Sequence, residues 1–387
     1  MVSVIIAPVF SNNDLLFSFI INNLDYGLPA GYIDDPVPNP ATNVGNLQDN
    51  AYTYTGADCV VYDYGIHIDD YVTVVVIDDG LLENEWKALE QNPEANVDII
   101  GFLTNFTYGG ENCTEYITSP NDSFLDYQEA HGHGYSVISA LAAVARDVKV
   151  IFVDLKYGDD LYGFEYGDYK IWDWIDNNQA SKDIDIISWS WVDHNDFATT
   201  EIHQKWSSML DKNIMMLTAA GNYFTYLNTR WGISHQYQSY YSEWYSVGSI
   251  DHENRGGDSR KGYKSGFSAW YESYTTGNHI VNWLEPGNGV PVLSGTYYDS
   301  QHHCWRGNWI YGCGTSYSTP YLAATVALII TGYHAGLGSY TDPSLQKIIE
   351  ILLYASSRST FDQQMGYGYV DAYLAYGKAY TEGRLAR

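Results

Sequence analysis

Four stretches of the chain are apolar at consecutive positions rather than at alternate ones. They are "YVTVVVI" (71–77), "VKVIFVDL" (148–155), "IDIISWSW" (184–191) and "NIMMLTAA" (213–220). A strand wetted on one side alternates polar and apolar residues, so such runs predict parallel strands covered on both faces. Between them lie segments of helical character, "YSVISALAAVA" (135–145) and "ATTEIHQKWSSMLDKN" (198–213). A further segment, "GCGTSYSTPYLAATVALII" (312–330), predicts a long apolar helix. Pro320 sits early in it and removes about one helical hydrogen bond. Repetition of strand, loop and helix predicts a doubly wound α/β fold, a mostly parallel sheet with helices on both faces. In such folds, functional residues gather beyond the carboxyl ends of the strands. This domain is expected to span residues 69–387. Residues 1–68 read as an irregular N-terminal extension, because short apolar runs there are broken by "GLPAGYIDDPVPNPATN" (27–43).

Composition narrows the partners. The chain carries 47 acidic and 19 basic residues, a formal charge of −28. Nucleic acid and anionic lipid both reward clustered Lys and Arg, so neither is an expected partner. A cationic substrate or a hard cation such as Ca²⁺ suits this charge better. No apolar run reads as long enough to span a membrane. Four cysteines (Cys59, Cys113, Cys304, Cys313) are too few for a disulfide scaffold and show no CxxC metal spacing. Cys304 and Cys313 are close enough in sequence to close a short disulfide loop. Sequons at Asn105, Asn112 and Asn121 crowd one region, which predicts an extracellular or cell-surface glycoprotein with a decorated loop. The opening "MVSVIIAPVFSNND" has no basic n-region and is a poor signal peptide.

Strand ends and helix starts carry the chemistry. "VVVIDDG" ends a strand with Asp78, Asp79 and Gly80; "HGHGYS" (131–136) leads into a helix; "LTAAGN" ends a strand at Asn222; Ser316 opens the long apolar helix. Each has an ordinary reading alone, since Ser is a common N-cap and Asp a common turn residue. Together and in this order they resemble the subtilisin-like serine proteases. The family's D-[ST]-G motif is similar to Asp78-Asp79-Gly80, and H-G-T-H-V-A-G is similar to the stretch from His133 to Ser139. G-T-S-x-x-x-P is matched from Gly314 to Pro320. The likeness extends to "SVGSID" (246–251), "SGFSAW" (265–270), "EPG" (285–287) and "GYGYVDAYLAY" (366–376).

The resemblance implies a serine endopeptidase acting on peptides or proteins. Ser316 would attack the carbonyl, His133 would carry its proton, and Asp78 would orient the imidazole. Asn222 and the Ser316 backbone N–H would stabilise the oxyanion. Between the two histidines of "HGHG", only His133 brings Val137 and Ala142-Ala143 into register with the family; His131 is left as a loop neighbour. The chemistry requires no cofactor, and a structural Ca²⁺ of the kind frequent in the family has no loop with recognisable ligand spacing here.

The chain also departs from the family. Tyr135 and Ser136 replace Thr-His, and Ser139 replaces Gly. Ser190, Trp191 and Val192 align with one wall of the S1 pocket, where Val192 stands in place of a usual Gly and should narrow it. Asp-Asp-Gly and Ser190-Trp191 resemble the kexin branch, whose acidic pockets select basic P1 residues, but that branch's Gly and Pro are missing. Sedolisin-like acid catalysis is disfavoured by the retained His133 and Asn222. A different class of function remains as the alternative: a self-assembling extracellular protein on a protease fold, forming a homo-oligomer when its apolar N-terminus adds a strand to a neighbour's sheet.

Overall fold

The computed structural model describes residues 54–57, 59–60, 72–78, 80–91, 97–104, 114–116, 132–154, 164–190, 200–222, 243–252, 261–270 and 281–387. Asp79, His131, Trp191, Val192, the three sequons and the N-terminal stretch 1–53 lie outside the described residues.

The four consecutive apolar runs form β1 (Thr73–Asp78), β4 (Lys149–Asp154), β5 (Ile184–Trp189) and β6 (Met215–Ala219). With β2 (Asp98–Thr104), β3 (Thr114–Tyr116), β7 (Tyr245–Ile250) and β8 (Trp283–Pro286) they build one eight-stranded sheet, in the order β3-β2-β4-β1-β5-β6-β7-β8. Every pairing is parallel except that of β2 with the edge strand β3. The fold is the predicted α/β sheet with helices on both faces.

Strand periodicity explains why both faces had to be apolar. In β1, Val74 and Val76 point into one core while Val75 and Ile77 point into the other. The first core is closed by α2 (His133–Val144), α5 (Thr315–Leu337), α6 (Leu345–Tyr354) and α7 (Ala372–Ala386). The second is closed by α3 (Phe164–Lys182) and α4 (Thr200–Asp211). A short α1 (Glu83–Gln91) follows β1, and the antiparallel pair β9 (Asn288–Asp299) and β10 (Cys304–Cys313) leads directly into α5. Residues 54–57 and 59–60, inside the stretch read as an extension, include buried Ala57 and Val60. There the Ala372 N–H donates to the Thr55 carbonyl at 2.7 Å.

Two expectations are corrected. The helix α5, 23 residues long, does have the length and apolarity of a membrane span. Its apolar surface is instead buried in the protein, between the sheet and α7. Cys304 and Cys313 occupy opposite ends of β10 and are both free thiols. At about 3.3 Å per residue the strand holds them some 30 Å apart, whereas a disulfide needs Cα atoms within about 7 Å. Closeness in sequence was outweighed by extended conformation.

On the second face, Trp172, Trp189, Trp206 and Trp244 pack ring to ring with centroids 5.5–5.8 Å apart. Trp189 closes β5 immediately before Ser190, so this cluster supports the sheet beneath the strand ends. Trp206→Ala should destabilise the fold by about 3–5 kcal/mol, as truncation of a buried Trp typically does. Urea denaturation of the two proteins would show it; a loss within experimental error would mean the cluster closes over the gap.

Candidate active site

Asp78 is the last residue of β1, a strand hydrogen-bonded on both sides, and is fully buried. His133 is the first residue of α2, whose N-cap is Gly132 with φ 56°. Only a residue tolerant of left-handed backbone fits there comfortably, and the glycine has a second reason. A Cβ at Gly132 would lie 3.0 Å from Glu85 Oε1. Ser316 sits in the first turn of α5, nearly buried.

These three residues, far apart in sequence, meet through the imidazole. His133 Nδ1 lies 2.6 Å from Asp78 Oδ1, and His133 Nε2 lies 3.1 Å from Ser316 Oγ. With Nδ1–H donating to the carboxylate, Nε2 is left with its lone pair toward the serine hydroxyl. An imidazole in that tautomer accepts the hydroxyl proton, and the buried carboxylate stabilises the cation that results.

Asn222 follows β6 and reaches the same helix terminus. Its Oδ1 accepts from the Thr315 N–H at 2.8 Å and from Thr315 Oγ1–H at 3.1 Å. Thr315 Oγ1 in turn accepts from the Gly221 N–H at 2.9 Å. Two donors on Oδ1 settle the orientation of the amide, so the NH₂ group is the end that faces the serine. A Cβ on Gly314 would lie 2.9 Å from Ser316 Oγ and 3.3 Å from Asn222 Nδ2. The space kept open by that glycine is therefore bordered by a serine hydroxyl and by an amide nitrogen, at the positive end of a long helix. Ser190 is buried beside β1, its N–H donating to the Ile77 carbonyl at 3.3 Å.

The profile of the peptidase S8 (subtilase) family matches residues 69–368. The chain belongs to the subtilase family. It is a subtilisin-like serine endopeptidase, and its substrates are peptides or proteins. Among solved structures, this subtilase is similar to a lanthipeptide protease, with 19% identity and a TM-score of 0.58 over 85% of this chain and 94% of that one. It is similar to the prenylagaramide maturation protease PagA, with 17% identity and a TM-score of 0.54 over 84% and 98% of the two chains. A third is the epidermin leader peptide processing serine protease of Staphylococcus aureus, with 17% identity and a TM-score of 0.54 over 82% and 78%. No curated protein matches the subtilase by sequence.

Sequence reasoning missed Glu85. It stands third in α1, and its Oε2 accepts from the Leu82 N–H at 2.9 Å, half of a capping box. The sequence signal was present as an acidic residue in a first helical turn, but its burial was not legible. Burial pushes the Glu85 carboxyl up to about 7, against an ordinary 4.5, and the Leu82 N–H offsets this only in part. Burial, with the Glu85 charge beside it, also pushes the Tyr135 phenol well up.

The Glu85 shift has a defined consequence for stability. Below pH 4.5 the carboxyl is neutral in both states, and burial carries no ionic cost. As pH rises from 4.5 to 7, the unfolded chain releases the proton that the folded chain retains, so stability falls. Above pH 7 the full loss, about 2–4 kcal/mol, is present. Glu85→Gln keeps an acceptor for Leu82 and removes the titration. Its stability relative to wild type should rise between pH 4.5 and 7 and then level off. Denaturant midpoints measured across that range would test this, and parallel curves would refute it.

Proposed function

We propose that Asp78, His133 and Ser316 form the catalytic triad of this endopeptidase, with Asn222 and the Ser316 backbone N–H as the oxyanion donors. The observation that carries this reading is the imidazole held within hydrogen-bond reach of both a buried carboxylate and a hydroxyl. Ser316 Oγ attacks the scissile carbonyl as His133 Nε2 takes its proton. The tetrahedral oxyanion is received beside Gly314, where charge develops in the transition state. Collapse expels the amine, to which His133 returns the proton, leaving an acyl-enzyme. Water, deprotonated by the same imidazole, then releases the acid and restores Ser316.

We further infer a processing role, cleavage of precursor peptides at few sites, in place of general degradation. Two of the similar structures carry the words maturation or leader peptide processing. The narrowing of S1 expected from the sequence, where Val192 stands in place of the family's usual Gly, agrees with narrow selection. The peptidase unit is taken to span 69–387.

A fluorophosphonate probe should label Ser316 in the folded protein and fail on Ser316→Ala, with His133→Ala slowed at least a hundredfold. Peptide hydrolysis by either variant should drop by about 10,000-fold or more. Asn222→Ala should lower kcat by about 100- to 1,000-fold with little change in KM, as loss of an oxyanion donor does. Labelling of wild type that survives His133→Ala unchanged would overturn the triad. Cleavage of a mixed peptide library should give a few related sites, and indiscriminate cleavage would overturn the processing role.

A further inference from the structure

Three stretches that extend the likeness to the family hold no member of the triad: "SVGSID" (246–251), "SGFSAW" (265–270) and "EPG" (285–287). In the fold they converge on one buried carboxyl group. Asp251, one residue past β7, accepts two hydrogen bonds on Oδ1, from Ser265 Oγ–H at 2.7 Å and from Asn288 Nδ2–H at 2.7 Å. With the Ser265 proton committed to Asp251, the Ser249 hydroxyl is the donor to Ser265 Oγ at 2.8 Å. The Asp251 backbone is anchored as well. Its N–H donates to the Tyr263 carbonyl at 2.9 Å, and its carbonyl accepts from the Gly262 N–H at 2.8 Å.

Each of the two side-chain donors leads to one wall of the space beside Gly314. Asn288 opens β9, and Gly287 before it accepts from the Gly314 N–H at 2.8 Å. Asn288 also faces Cys313 across the β9–β10 ladder, where its Oδ1 accepts from the thiol at 3.3 Å. A Cβ at Gly287 would collide with Ser318 Oγ and stand 2.7 Å from the Gly314 carbonyl oxygen, so this turn is seated directly on the start of α5. On the other wall, the Ser265 carbonyl accepts from the Ser268 N–H at 3.0 Å, and Ala269 donates its N–H to the Gly221 carbonyl at 2.9 Å. Gly221 precedes Asn222, and its own N–H reaches Thr315 Oγ1. One carboxyl group thus ties the segment that carries Asn222 to the segment that carries Ser316.

We propose that Asp251 is a positioning residue for the reaction, acting through Asn288 and Ser265 to hold the spacing between the Asn222 amide and the Ser316 backbone N–H. The proposal rests on the triad and oxyanion reading above. Donors stabilise developing charge only when they are already aimed at the place where it forms. Loss of the shared acceptor spoils that aim while leaving ground-state contacts with the peptide in place, so the effect falls on kcat. Misplacement of a group by about 1 Å costs on the order of a hundredfold in rate, which sets the scale.

The test compares wild type, Asp251→Ala, Asp251→Asn, Asn222→Ala and the double variant Asp251→Ala with Asn222→Ala, all in the full chain. Readouts are kcat and KM for peptide hydrolysis, corrected for the folded fraction from denaturation midpoints. Asp251→Ala should lose about 10- to 100-fold in kcat, with KM within about threefold of wild type. Asp251→Asn keeps an acceptor oxygen and should recover most of the rate. Because both residues serve one pocket, the double variant should lose less than the product of the two single losses, by about threefold or more. If Asp251→Ala does not fold, Asn288→Ala removes one of the two links and carries the same comparison. An unchanged kcat per folded molecule, a rise in KM alone, an Asp251→Asn as slow as Asp251→Ala, or losses that multiply in full would overturn the proposal. Failure of the oxyanion reading is separately visible, since Asn222→Ala alone would then leave kcat unchanged.

Discussion

A carboxylate with no exposure to water sits at the end of the central strand β1, and the rest of the candidate site is arranged around it. Removing an ionised group from water is expensive unless a partner lies in contact. For Asp78 that partner is His133 Nδ1 at 2.6 Å, which requires α2 to begin beside the strand end. The positive φ of Gly132 and its close approach to Glu85 allow that start. Once the imidazole is committed to Asp78 through Nδ1, only Nε2 remains, and Ser316 lies where Nε2 points.

Rigidity comes from packing below the site and from hydrogen bonds above it. β1 lies between β4 and β5 and is covered on both faces, so Asp78 has little freedom to shift. The start of α5 is tied to Asn222 and Gly221 through Thr315. A close approach at Gly314 lets this tie form without displacing the strand that feeds the helix. The same crowding confines Glu85, a carboxyl stranded between a helix start and the histidine's helix, and burial there works against its ionisation.

Consecutive apolar residues in "YVTVVVI" and "VKVIFVDL" were sufficient to read buried parallel strands, because a strand covered on both faces cannot alternate. The candidate residues were legible because short motifs fell at strand ends and helix starts, where an α/β sheet gathers its chemistry. Cys304 and Cys313 misled in the opposite direction. Nine residues suggest a loop when read along the chain, yet in β10 they form an extended strand that separates the thiols. The apolar run of α5 was likewise underestimated, and its burial follows from a position between sheet and helix that composition does not reveal. Thr315 belonged to a motif, but its grip on Asn222 depends on two loops meeting in space.

By itself, the sequence determined the class of fold, four of its parallel strands and three of its helices, and which side chains were candidates for acid, base, nucleophile and oxyanion donor. These follow from local rules: periodicity, backbone preference and side-chain chemistry act over a few residues. Tertiary structure alone decided the distances, the orientation of the Asn222 amide, the burial of Glu85 and the separation of the cysteines. Those depend on contacts between segments tens to hundreds of residues apart, whose geometry is set only when the sheet and its helices close over a common core.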